Sequence, residues 1–146
     1  MKWLPKLLFL FSFCSLICSC NPQQTLPYYV DNPNNKQLNY LALGDSYTIG
    51  QSVCTTCRFP EQLKTRLQST FSTNPFLLQV IAKTGWTTTN LTSEINLANP
   101  STNFDLVTLL IGVNNQYQNK PFSLYEQEFP ALVEKAIQLA KDHLDE

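Results

Sequence analysis

Three apolar runs of strand length mark the chain, and each stops at a short polar turn that holds a glycine. Leu38 to Leu43 gives way to Gly44-Asp45-Ser46, with Thr48 and Gly50 just behind. Phe76 to Ala82, broken only by Gln79, runs into Lys83-Thr84-Gly85-Trp86. Asp105 to Ile111 ends in Gly112-Val113-Asn114-Asn115. Runs that are apolar at successive positions, rather than alternately, suit strands covered on both faces, as in a parallel sheet. Between and after them the period changes. Phe59, Leu63, Leu67 and Phe71 recur every four residues behind Pro60-Glu61, which suits the first turn of a helix. Leu91, Ile95 and Ala98 follow a threonine-rich stretch that, with Asn90, can cap a second helix. Phe129, Leu132, Val133, Ala136, Ile137, Ala140 and Leu144 predict a last amphipathic helix, with His143 at its solvated end. Strands alternating with helices predict a doubly wound parallel α/β sheet. The three turns then lie along one sheet edge, where open sheets carry their chemistry. That edge brings Ser46, Gly85 and Asn114 together.

The first twenty residues do not belong to this pattern. Lys2 and Lys6 precede an apolar core, Leu7 to Ile17, that is too short to cross a bilayer comfortably and reads as a secretory signal. Its end, Ile17-Cys18-Ser19-Cys20, resembles a bacterial lipobox, in which the cysteine is acylated and becomes the mature N-terminus. A plain signal peptide, cut where small residues stand, is the alternative. Asn21 to Lys36 has Pro22, Pro27, Pro33 and a run of asparagines without periodicity, so it reads as a tether. The expected organisation is a signal over 1–19, a lipidated Cys20 with a polar tether over 20–37, and one domain over 38–146. The expected location is the bacterial cell envelope, with the lipid anchored in a membrane.

Composition narrows the partners. A chain of 146 residues with 43% hydrophobic and 14% charged residues is globular and has room for one domain. A formal charge of -1 offers no basic footprint for nucleic acid. Cys54-Thr55-Thr56-Cys57 admits three readings. Zinc is poorly served, because a structural site needs four ligands and the exported chain offers only one further histidine, His143. A redox pair near a helix start is the second reading. A local structural disulfide in an oxidising compartment is the third. Nothing in the pattern requires a metal or cofactor.

Ser46 stands two residues past a strand on a tight turn, the place for an exposed nucleophile, although Gly, Asp and Ser also build ordinary turns. Gly85 is either a turn glycine of positive φ or a backbone N–H directed into a site.

Gly44-Asp45-Ser46, Gly85 within Thr84-Gly85-Trp86-Thr87, and Gly112-Val113-Asn114 occur in order, each at the end of a predicted strand. Together they resemble the SGNH hydrolase superfamily, also called GDSL esterases and lipases. Tyr47 replaces a common leucine, and Asn115 stands where an aspartate often follows. The resemblance implies an α/β/α sandwich of flavodoxin-like kind. It implies a serine esterase in which Ser46 attacks an ester carbonyl and forms an acyl-enzyme. The oxyanion would be held by the N–H groups of Ser46 and Gly85 and by the amide of Asn114, with Gly44, Asp45 and Gly112 shaping the turns. Substrates would be a small ester, an acylated sugar or a lysolipid. The family's general base is the histidine of a late Asp-x-x-His. Here the single histidine, His143, has Ala140 three residues before it. The pattern after the last helix calls for another strand, so the chain reads as the N-terminal portion of an esterase. A separately encoded C-terminal segment is then an expected partner. The alternatives are a catalytically inactive remnant that binds such ligands and a thiol redox module built on Cys54 and Cys57.

Overall fold

The computed structural model describes residues 36–70 and 75–140. The leader, Cys20 and most of the tether, together with His143 and Leu144, lie outside the described residues.

Three strands form one parallel sheet in the order β2-β1-β3: β1 is Leu38–Gly44, β2 Phe76–Ala82 and β3 Leu106–Leu110. The first run takes the central place, and Tyr40, Leu41, Ala42 and Leu43 are fully buried. Register decides where the chemistry falls. Gly44 pairs with Ala82 on one side and Leu110 on the other, so the three strands end level.

Helices follow each strand. α1 is Ser46–Ile49, α2 Phe59–Thr70, α3 Thr88–Ala98, α4 Val113–Tyr117 and α5 Phe122–Leu139. Side chains alternate across a strand. Leu41 and Leu43 therefore share one face, where they join Ile81, Leu91, Ile95, Leu132 and Leu139 in the core beneath α3 and α5. The other face carries Tyr40, whose hydroxyl meets Thr108 Oγ1 at 3.0 Å. α1 and α2 pack against β2 and each other. This is the parallel α/β arrangement that the strand and helix periods predict, of the flavodoxin-like kind that the resemblance implies. No described helix is long and apolar enough to cross a membrane.

Several expected boundaries move. β3 is one residue shorter at each end than the expected strand from Asp105 to Ile111. Ala98 is exposed, so the buried stripe of α3 is Leu91 and Ile95. The α2 stripe is only half-buried at Phe59, Leu63 and Leu67, and Phe71 lies outside the described residues. The largest correction is at α5, which was expected to continue through Leu144. It stops at Leu139, and Ala140 is extended at φ -71 and ψ 151. The Phe104 N–H donates to the Leu139 carbonyl at 3.2 Å, and Phe104 and Ala140 form a parallel bridge. Pairing beside the start of β3 thus overrides the helical period. His143, expected at the end of this helix, lies outside the described residues.

Candidate active site

The first turn is held by close approach. A Cβ on Gly44 would collide with the Thr48 side chain and come within 2.5 Å of the Leu110 carbonyl. Glycine therefore lets the end of β1, the first turn of α1 and the backbone of β3 meet. Asp45 caps α1: its Oδ1 accepts the Tyr47 N–H at 3.0 Å. Only 1% of Asp45 is exposed. Burial raises the pKa of its carboxyl above the ordinary aspartate range, and the Tyr47 N–H works in the opposite direction. Ser46 is the first residue of α1 and is half-buried. Its N–H belongs to the first helical turn, where no intrahelical carbonyl is available. Its Oγ has no hydrogen-bond partner among the described residues.

The second turn is Lys83 to Trp86, closed by the Trp86 N–H on the Lys83 carbonyl at 3.2 Å. Gly85 has φ 82 while Thr84 keeps negative φ, which makes this a type II turn. Nothing lies within 4 Å of the position a Gly85 Cβ would occupy, so open space rather than crowding surrounds it. Glycine is required here for its positive φ. The Gly85 N–H has no acceptor among the described residues. Thr87 then caps α3, reciprocally with Asn90.

The third turn leads into α4 through Gly112, the N-cap, where a Cβ would press on the Tyr125 ring at 2.6 Å. Asn114 Nδ2 donates to the Trp86 carbonyl at 2.9 Å and approaches Asp45 Oδ2 at 3.4 Å. The second contact is at the weak end of hydrogen bonding. One amide thus stands between the residue before Ser46 and the residue after Gly85, and the three turns meet in space.

Behind this front lies a polar network that sequence reasoning missed. Buried Asn115 accepts the Thr88 N–H at 3.0 Å and donates to Thr88 Oγ1 at 2.6 Å. The Thr88 hydroxyl in turn donates to Glu128 on α5, which also takes the Thr89 hydroxyl at 2.8 Å. Gln118 Nε2 donates to the Gly85 carbonyl at 2.8 Å, and Thr84 Oγ1 donates to Gln51 Oε1 at 2.6 Å. The run of amides from Asn114 to Gln118 was the available signal for part of this. Glu128 gave none, because it reads as an ordinary polar position on α5.

Cys54 and Cys57 are joined in a disulfide at an exposed 3-10 turn before α2. A hollow of about 790 Å³ is lined by Ile111, Gly112, Asn115, Phe122 and Tyr125 among others, but not by Ser46, Gly85 or Asn114.

Comparison with known proteins agrees with this layout. The model of the GDSL-like Lipase/Acylhydrolase family matches residues 42–143. Among solved structures, the chain is similar to AlinE4, an SGNH-hydrolase family esterase, with a TM-score of 0.57 at 20% identity over 68% of this chain and 52% of that one. It is also similar to TesA, with a TM-score of 0.59 at 20% identity over 70% of this chain and 57% of that one. The chain thus spans little more than half the length of either. Comparison with curated protein sequences finds no match. At this identity the solved structures speak for the fold, whereas the family model covers most of the chain, including all three glycine turns. The chain belongs to the GDSL-like lipase/acylhydrolase family of the SGNH hydrolase superfamily.

Proposed function

We propose that the chain hydrolyses a carboxylic ester through an acyl-enzyme on Ser46. The carrying observation is the Asn114 amide, set between Asp45 and Trp86, which joins the serine turn to the glycine turn. In this reading Ser46 Oγ adds to the ester carbonyl and the carbonyl oxygen becomes the oxyanion. The N–H groups of Ser46 and Gly85 receive it, and Asn114 supplies the hydrogen that now makes only the long contact to Asp45. Donors already in place need little reorganisation as charge develops, and losing one typically costs about a hundredfold or more in rate. Collapse of the intermediate expels the alcohol, and water then releases the acid.

Serine attack also needs an acceptor for the hydroxyl proton. No described side chain hydrogen-bonds to Ser46 Oγ, and in this reading the base is supplied from outside the described residues. We assign it to a segment carrying Asp-x-x-His rather than to His143, which has no aspartate three residues before it. A small ester, an acylated sugar or a lysolipid is the proposed substrate class.

The experiment compares p-nitrophenyl acetate hydrolysis by the chain, by Ser46→Ala and by His143→Ala. The expected rate of the chain alone is close to that of Ser46→Ala. Co-expression with a segment bearing the Asp-x-x-His is expected to produce a rate that Ser46→Ala abolishes. Rapid turnover by the chain alone that disappears in both variants would make His143 the base and overturn that assignment. Equal rates for parent and Ser46→Ala with the segment present would overturn the esterase reading.

A further inference from the structure

The amide proton at Gly85 has no acceptor among the described residues, so something other than its own hydrogen bond must set its direction. In a turn closed between Lys83 and Trp86, that direction is set by the peptide plane between Thr84 and Gly85. Type I and type II turns differ mainly by a flip of this plane, because the dihedrals that change most are ψ of the second residue and φ of the third. One form presents the Gly85 N–H on one side of the turn, and the other form presents the Thr84 carbonyl there. Glycine permits the type II form but does not enforce it, since it populates both signs of φ readily.

Two glutamine side chains grip the residues on either side of that plane. Gln51 Oε1 accepts the Thr84 hydroxyl at 2.6 Å, and Gln118 Nε2 donates to the Gly85 carbonyl at 2.8 Å. Each glutamine is also tied through its own backbone to one of the other candidate residues. The Gln51 N–H donates to the Ser46 carbonyl at 2.9 Å, and the Gln118 N–H donates to the Asn114 carbonyl at 3.0 Å. A chain of contacts therefore runs from Ser46 through Gln51 to Thr84, and from Gly85 through Gln118 to Asn114. We infer that Gln51 and Gln118 are positioning residues that hold the Lys83–Trp86 turn in its type II form and so fix the direction of the Gly85 N–H relative to Ser46 and Asn114. This rests on the esterase reading above and adds to it the residues that keep one oxyanion donor aimed.

The two glutamines act with opposite polarity, which makes the inference specific. Gln51 serves as an acceptor, so glutamate can replace it. Gln118 serves as a donor, so lysine can replace it. Leucine can replace neither.

The test uses the isotope-labelled full chain and NMR. A type II turn brings the Thr84 Hα close to the Gly85 amide proton and gives a strong sequential NOE. A type I turn weakens that NOE and strengthens the one between the Thr84 and Gly85 amide protons. The parent is expected to show the first pattern. The double variant Gln51→Leu/Gln118→Leu is expected to show a mixture or the second pattern, with the resonances of β1 and β3 unchanged. Gln51→Glu/Gln118→Lys is expected to restore the first. An unchanged NOE pattern in the leucine double variant would overturn the inference, as would a leucine pattern that the Glu/Lys pair does not correct. In the assay with the added segment, the leucine variant is expected to lose about tenfold to a hundredfold in kcat with KM little changed, the scale of a misplaced catalytic group. A flipped turn with kcat intact would also overturn it, because the Gly85 N–H would then not be serving the reaction. Ser46→Ala reports separately: if it hydrolyses as fast as the parent, the esterase reading falls, and the NOE patterns still decide whether the glutamines hold the turn.

Discussion

Asn115 shows how a departure from the family pattern can follow from its neighbours. The Thr88 hydroxyl has one hydrogen, and it goes to the Glu128 carboxylate. An aspartate at 115 could still accept the Thr88 N–H, but its second oxygen would face a hydroxyl oxygen with no hydrogen left to offer. Asparagine turns an NH2 toward that oxygen instead, at 2.6 Å. Asn115→Asp is therefore expected to lower stability by about 1–3 kcal/mol, the usual cost of an unmatched buried polar group. Thermal unfolding measures it, and Glu128→Gln in the same chain is expected to recover part of the loss. An Asn115→Asp chain as stable as the parent would show that the hydroxyl hydrogen is not committed to Glu128. At this scale the sequence was partly legible. Ser46, Gly85 and Asn114 stood out because each lies in a glycine-containing turn at the end of an apolar run. Gln51, Gln118 and Glu128 did not, because an exposed or half-buried polar side chain leaves no mark on hydrophobic periodicity. Only the fold reveals which backbone carbonyl or hydroxyl it reaches.

The elements were easier to anticipate than their ends. Leu38 to Leu43 announced a central strand because its stretch from Tyr40 to Leu43 is apolar at successive positions, and β1 is indeed flanked on both sides. α5 kept its period but ended early at Leu139, with no glycine or proline following to signal the stop. The cause is non-local, since the extended Ala140 pairs with Phe104 far back in the chain. Pro130 likewise lies inside α5 without ending it. The point where elements leave least room is Gly44, crowded by Thr48 on α1 and by the β3 backbone. Gly44→Ala cannot be absorbed by one rotamer change, because the Leu110 carbonyl at 2.5 Å is main chain. It is expected to cost on the order of 1–3 kcal/mol or more, as overpacked sites do. Since the affected contacts join β1, α1 and β3, the variant is also expected to loosen the first and third turns together. Denaturant titration checks the first effect, and amide exchange at Ser46 and Asn114 checks the second. A wild-type midpoint with unchanged exchange would contradict this account of the glycine.

At the scale of the whole molecule, the described domain supplies a floor of three level turns and a hydrolase family, while anchoring rests on sequence alone. Ile17 to Cys20 supports the proposal that Cys20 is acylated and tethers the domain to a bacterial envelope membrane. Cys20→Ser is expected to move the protein from the membrane fraction to the soluble one. Retention in the membrane fraction, with a mature N-terminus of ordinary signal-peptidase type, would contradict it. The central claim is that Ser46, Gly85 and Asn114 form one hydrolytic site whose described part has no base. Imidazole can serve as a diffusible base, so the most direct test measures p-nitrophenyl acetate hydrolysis across an imidazole series for the parent and for Ser46→Ala. Serine hydrolases that lack a triad member retain roughly a thousand- to ten-thousandfold over water from the oxyanion hole and binding, a background that Ser46→Ala shares and that the comparison therefore removes. The account predicts a rate close to that of Ser46→Ala without imidazole and increasingly above it as imidazole is added, after subtraction of imidazole's own reaction. Identical rates for the two chains at every imidazole concentration would contradict it.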